Sequence, residues 1–160
     1  MTRFPVIRRS PGSRTRRDRD QRGAVVVEFA LIVPLLLLVV FGIFEFGYML
    51  NRDTIISNAS RDGARVASLN GTGAEIRSAI TTELAASGIV TTPSKIKIDC
   101  KLPDDSPCNA TSDATYTSLA EPGSTAIISV SYTYNWITPL IGSVFGGDVE
   151  LSQTTQMRVE

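Results

Sequence analysis

The strongest pattern along the chain is an uninterrupted apolar stretch near its N-terminus. Residues 24–44 read AVVVEFALIVPLLLLVVFGIF and contain one charge, Glu28. At about 1.5 Å per residue, a helix of this run is roughly 31 Å long, the thickness of a bilayer's hydrocarbon core. A secretory signal sequence would have a shorter apolar region closed by a small-x-small cleavage site, and here the run passes into Glu45-Phe46-Gly47-Tyr48-Met49-Leu50 without one. The pattern predicts a retained membrane helix over residues 24–50, with Glu45 and Tyr48 at its outer interface. Helical spacing then continues over residues 51–69. Ile55, Ile56, Ala59, Gly63, Val66 and Ala67 fall on one side and Arg52, Arg61, Asp62 and Arg65 on the polar one, which reads as an amphipathic stalk. Asn70-Gly71-Thr72-Gly73 stops it, and residues 74–87 restart as a second, shorter helix with Ile76, Ala79, Ile80 and Leu84 on one face.

Beyond Gly88 the period changes from 3.6 to 2. Three strands are predicted: Lys95–Cys100, Ala126–Ile137 and Val149–Glu160. Ile128, Val130, Tyr132, Tyr134 and Trp136 share one face of the second, as do Val149, Leu151, Met157 and Val159 of the third. Residues 103–123 are turn-rich with few apolar anchors and read as a surface loop. The expected architecture is α+β: a single membrane helix extended into a stalk, a second short helix, and a small antiparallel sheet of about three strands.

Charge divides the chain more sharply than composition does. The formal net charge is zero over 160 residues, yet residues 1–23 hold eight arginines against two aspartates. The rest is mildly acidic. The chain therefore reads as a basic leader (1–23), a membrane helix (24–50) and an outer domain (51–160), and by the positive-inside rule the leader is cytoplasmic. No basic domain suited to nucleic acid follows the span. The absence of histidine removes the commonest general base and zinc ligand, so no catalytic residue, metal site or cofactor is expected. Cys100 and Cys108 enclose KLPDDSP and fit a structural disulfide in an oxidising compartment, worth about 2.5 kcal/mol by loop-closure entropy. Asp99, Asp104, Asp105 and Asp113 near that loop match no calcium-binding spacing and read as solvated.

Glu28 is the residue that needs a reason. A carboxylate inside an apolar span costs energy unless it has a partner; near the cytoplasmic end it can instead reach the interface and gain from the helix N-terminal dipole. Its context is Arg22-Gly23, then Ala24-Val25-Val26-Val27-Glu28-Phe29. That arrangement resembles the processing site of type IV-type pilins, and the chain as a whole is similar to the TadE-like family of the tight-adherence (Tad) pilus system. The resemblance extends to Asn58–Ala67 (NASRDGARVA) and to the ending Gln156–Glu160 (QMRVE). It implies cleavage by a prepilin peptidase between Gly23 and Ala24, with Glu28 as the fifth residue of the mature chain and Phe29 as the aromatic after it. It further implies a pilin-like fold and a role as a minor pilin or pseudopilin. The implied partners are the peptidase, other pilin-like subunits, the proteins of the assembly platform and membrane lipid. A new α-amine at Ala24 would offset the Glu28 charge, within one helix at i, i+4 or between neighbouring helices. The alternative is an uncleaved single-span anchor whose outer domain binds a ligand or protein as a sensor or adhesin.

Overall fold

The computed structural model describes residues 15–90 and 92–160. In chain order these form α1 (Thr15–Ser68), α2 (Gly73–Ala86), a 3-10 turn (Pro93–Lys95), β1 (Ile96–Lys101), α3 (Asp113–Leu119), β2 (Thr125–Tyr134), α4 (Pro139–Phe145) and β3 (Val149–Arg158). This is the predicted α+β class, with one long apolar helix and a three-stranded antiparallel sheet in the order β1-β2-β3.

The chain falls into two units, one ending at Phe41 and the other spanning Gly42–Glu160. The first is the N-terminal part of α1. Its helix starts at Thr15, within the basic leader, because arginine is a good helix former and the apolar run that follows already supplies the costly nucleus. The leader's first residues, 1–14, lie outside the described residues. The helix continues through Pro34.

In the second unit the rest of α1 lies against α2 and the sheet around one core. The inward stripe of α1 is Ile56, Ala59, Ser60, Ala64 and Ala67, and it meets Ile76, Ile80 and Leu84 of α2. The sheet adds Ile96, Ile98 and Cys100 from β1 and Ala126, Ile128 and Val130 from β2. Antiparallel register sets Ile98 opposite Ile128 and Cys100 opposite Ala126, so alternate residues of both strands point into the core. Small residues on α1 bring the layers close. A Cβ on Gly63 would stand 2.7 Å from Ile80 Cδ1 and 3.3 Å from Ile128 Cγ2, so the helix, its neighbour and the sheet meet at this one position.

The turn between α1 and α2 is built by local hydrogen bonds. Asn70 takes a positive φ of 59°, Gly71 N–H donates to Val66 O at 3.0 Å and Asn70 N–H to Ala67 O at 3.1 Å, a Schellman closure that satisfies the last carbonyls of α1. Gly71 is required here, since a Cβ would lie 2.6 Å from the Val66 carbonyl oxygen. Thr72 then caps α2 through a capping box with Glu75.

Several sequence expectations are corrected. The second strand ends at Tyr134 rather than Ile137, and Lys95 belongs to the 3-10 turn rather than to β1. The expected loop 103–123 contains α3, capped by Ser112 and anchored by buried Tyr116. The third strand ends at Arg158, and Met157, expected on its inner face, is exposed because no described element covers that end of β3. Val159 turns back into the core, and Glu160 N–H donates to Ser68 O at 3.0 Å at the end of α1.

Candidate functional site

Gly23, Ala24, Glu28 and Phe29 all lie on α1, and all are exposed. Ala24 and Glu28 are one helical turn apart, about 6 Å along the axis, on the same side of the helix. Among the described residues Glu28 makes no ion pair. Beyond its chain neighbours and the helix backbone, nothing described lies within 4 Å of a Cβ built on Gly23. From Val25 to Val39 nearly every apolar side chain faces outward. An apolar helix left uncovered over this length requires lipid or other chains around it.

The other notable carboxylate is Glu45, and its environment differs from the interfacial one the sequence suggests. It is 3% exposed and held by the folded unit. Tyr134 Oη donates to Glu45 Oε1 at 2.8 Å and Ile137 N–H donates to the same oxygen at 2.6 Å. Thr138 donates to Oε2 twice, from its backbone N–H at 3.2 Å and its hydroxyl at 3.1 Å. Four donors thus meet two carboxylate oxygens, which satisfies a buried charge that would otherwise be unfavourable. Burial, together with the neighbouring carboxylate, pushes the Tyr134 phenol well above the usual tyrosine range. Around it the rings are ordered: Tyr48 at 6.1 Å from Tyr134, Trp136 edge-on to Tyr134 at 5.7 Å, and Phe145 stacked on Trp136 at 6.1 Å. Arg52 lies over the Tyr48 ring, donates to its hydroxyl and reaches Ser87 O at 3.1 Å. The signal for this cluster was present in the sequence. Glu45, Tyr48, Arg52, Ile56 and Ala59 succeed one another at three- and four-residue steps, so the stripe that faces the core extends back to Glu45.

Cys100 and Cys108 are joined by a disulfide, with Cα atoms 5.2 Å apart. The loop it closes is also tied by Cys108 N–H donating to Cys100 O at 2.9 Å. Three of the four aspartates considered near it serve different partners. Asp99 accepts from the Cys100 and Ala110 backbone N–H groups, Asp104 accepts from Ser106, and Asp113 pairs with Arg77 across α2 and α3 at 2.6 Å. Among the described residues no group of three or more potential metal ligands converges.

The Arg77 pair gives a pH-dependent expectation. Hydrogen bonds from the guanidinium hold the Asp113 carboxyl below the usual carboxylate range. Its contribution to stability is therefore complete above the unfolded value of about 3.9, and is lost as pH falls through the lower folded value. Asp113→Asn is expected to cost about 1 kcal/mol at neutral pH, a modest figure because the pair is partly solvated. The gap between wild type and variant in urea unfolding should shrink below about pH 4. A gap unchanged by acid would remove the ion pair from this account.

The geometry defines a class: a protein with one uncovered, membrane-length apolar helix whose far end is built into a small disulfide-bonded α+β head. Against protein-family models, residues 23–65 match the TadE-like protein family, and over that segment the chain is TadE-like. The match begins at Gly23, takes in the apolar helix and Glu45, and ends before the QMRVE terminus. A TadE-like segment points to association with a Tad pilus and agrees with membrane association through α1. No curated protein and no solved structure matches the chain.

Proposed function

We propose that this protein is a pilin-like subunit of a Tad-type pilus, entering the fibre as a minor component or assisting its biogenesis from the membrane. A prepilin peptidase cuts its leader on the cytoplasmic side between Gly23 and Ala24. The observation that carries this reading is the sequence Gly23-Ala24-Val25-Val26-Val27-Glu28-Phe29 at the head of an exposed apolar helix, at the point where the family match begins. Cleavage leaves an α-amine at Ala24 one turn from Glu28, on its own helix or on a neighbour packed beside it. That pairing lets a carboxylate stay in an apolar assembly at little net cost. The arginine-rich leader holds residues 1–23 in the cytoplasm until cutting, and residues 51–160 form the extracytoplasmic domain, where the Cys100–Cys108 bond is stable. The partners are the peptidase, related pilin-like subunits, the assembly platform and lipid.

The test is N-terminal sequencing and intact mass of the protein from its native membrane, with and without the host's prepilin peptidase. A mature chain starting at Ala24 only when the peptidase is present is expected. A start at Met1 in both strains would overturn the proposal and favour an uncleaved anchor carrying a binding domain.

A further inference from the structure

The head presents an apolar surface around the part of α1 that holds Glu45. Ile137 is 62% exposed and Phe145 70%, and on α1 itself Phe44 is 72% and Phe46 57% exposed. These residues belong to one neighbourhood. The Ile137 N–H is bonded to the Glu45 carboxylate at 2.6 Å, which fixes the β2–α4 connection beside the helix residue between Phe44 and Phe46. Phe145 reaches the same place through its stack on Trp136, whose ring meets Tyr134, the second partner of Glu45. Gly142 allows α4 to close on this ring: a Cβ there would lie 3.2 Å from Trp136 Cδ1.

We propose that the segment Trp136–Phe145 seats in the outer interfacial layer of the bilayer, so that lipid holds the protein by its head as well as by its span. The proposal rests on the reading that residues 24–44 cross the membrane. Lipid is the occupant because Ile43 and Phe44, the last residues of the apolar run, are exposed, and the next residue is bonded to the head. The chemistry of the segment agrees. From Pro122 to Gly147 the chain has no charged side chain, so no ion must be desolvated when the segment enters the headgroup region. Tyr48 and Trp136 are the residue types that favour this layer, with an apolar ring and one polar atom. The Trp136 indole N–H is already satisfied by the Gly147 carbonyl, which lets the ring meet acyl chains without an unpaired donor. Leu69, Val90 and Met157, large exposed apolar side chains elsewhere on the head, have no such link to the Glu45 cluster and are ordinary surface residues.

Trp136 is the chain's single tryptophan and therefore its own probe. The full-length protein is reconstituted in phosphatidylcholine vesicles containing brominated lipids, with bromine either near the headgroup end of the acyl chain or near its terminus. Trp136 fluorescence is expected to lose roughly half its intensity to shallow bromines and little to deep ones, the pattern of an interfacial ring. A second protein, Leu36→Trp in a Trp136→Phe background, reports the span and should be quenched chiefly by deep bromines. If that variant is quenched and Trp136 instead responds only to aqueous acrylamide, the head stands clear of the bilayer and the inference fails while the span survives. If Trp136 responds to neither lipid nor acrylamide, protein covers it and lipid is the wrong occupant. If neither tryptophan meets bromine, the spanning reading itself is lost.

Discussion

Replacing Glu45 with leucine is expected to lower the unfolding free energy of the head by about 3 kcal/mol, since it strips the partner from four donors at once. Two of those donors are backbone N–H groups of residues 137 and 138, which no rotamer change can redirect. The Tyr134 hydroxyl is the third, buried with its ring. Leucine keeps helix propensity and apolar volume, so the loss reports the hydrogen bonds rather than a broken helix. Glu45→Gln keeps one acceptor oxygen but turns an amide NH₂ toward remaining donors, and an intermediate loss of about 1–2 kcal/mol follows. Denaturant unfolding in detergent, followed by Trp136 emission, measures both. A Glu45→Leu protein within about 0.5 kcal/mol of wild type would mean that water already satisfies these donors.

Gly63 supplies the second large effect. Leucine here would drive four carbon atoms into a space where a first Cβ already meets Ile80 at 2.7 Å, and both helix and sheet must move apart. A loss of about 3 kcal/mol is expected, at the upper end of overpacking in a filled core. Gly47→Ala on the same helix is the matched control. Nothing lies within 4 Å of a Cβ there, so the change should leave stability unaltered or raise it by up to about 1 kcal/mol through helix propensity. If both variants unfold alike, the close packing of α1 on α2 and β2 is not what holds the head together.

These positions show which parts of the molecule are legible in sequence. The stalk was readable because one stripe of small and branched residues repeats from Ile56 to Ala67, and a 3.6-residue period is hard to imitate by chance. The strands were readable where alternation met a core, as at Ile96, Ile98 and Cys100. Short helices were not. α3 has only Tyr116 and Leu119 as larger apolar residues in seven positions, too few for a period, and its trace in the sequence is the Ser112 cap. The end of β2 escaped for a different reason. Alternation continues through Trp136, but the N–H groups of Ile137 and Thr138 go to Glu45, so tertiary hydrogen bonds end the strand where composition would extend it. The motif Gly23 to Phe29 lies on an exposed helix, so its reading rests on the order of residues along the chain and on the processing test above.

The contacts that complete the head join distant parts of the chain. Ser60 meets Thr155 at 2.7 Å and Asp53 accepts from Gln153 at 2.9 Å, across separations of 95 and 100 residues. Synthesis proceeds at about 5–20 residues per second, so the inner stripe of α1 emerges on the order of 5–20 seconds before the last strand that bonds to it. During that interval the helix is a half-finished surface. Its composition suits the wait: Ala59, Ser60, Gly63, Ala64 and Ala67 offer little oily area to a stray neighbour, while still fitting closely once the rest of the head arrives. Small side chains at these sites thus serve the nascent chain as well as the finished one.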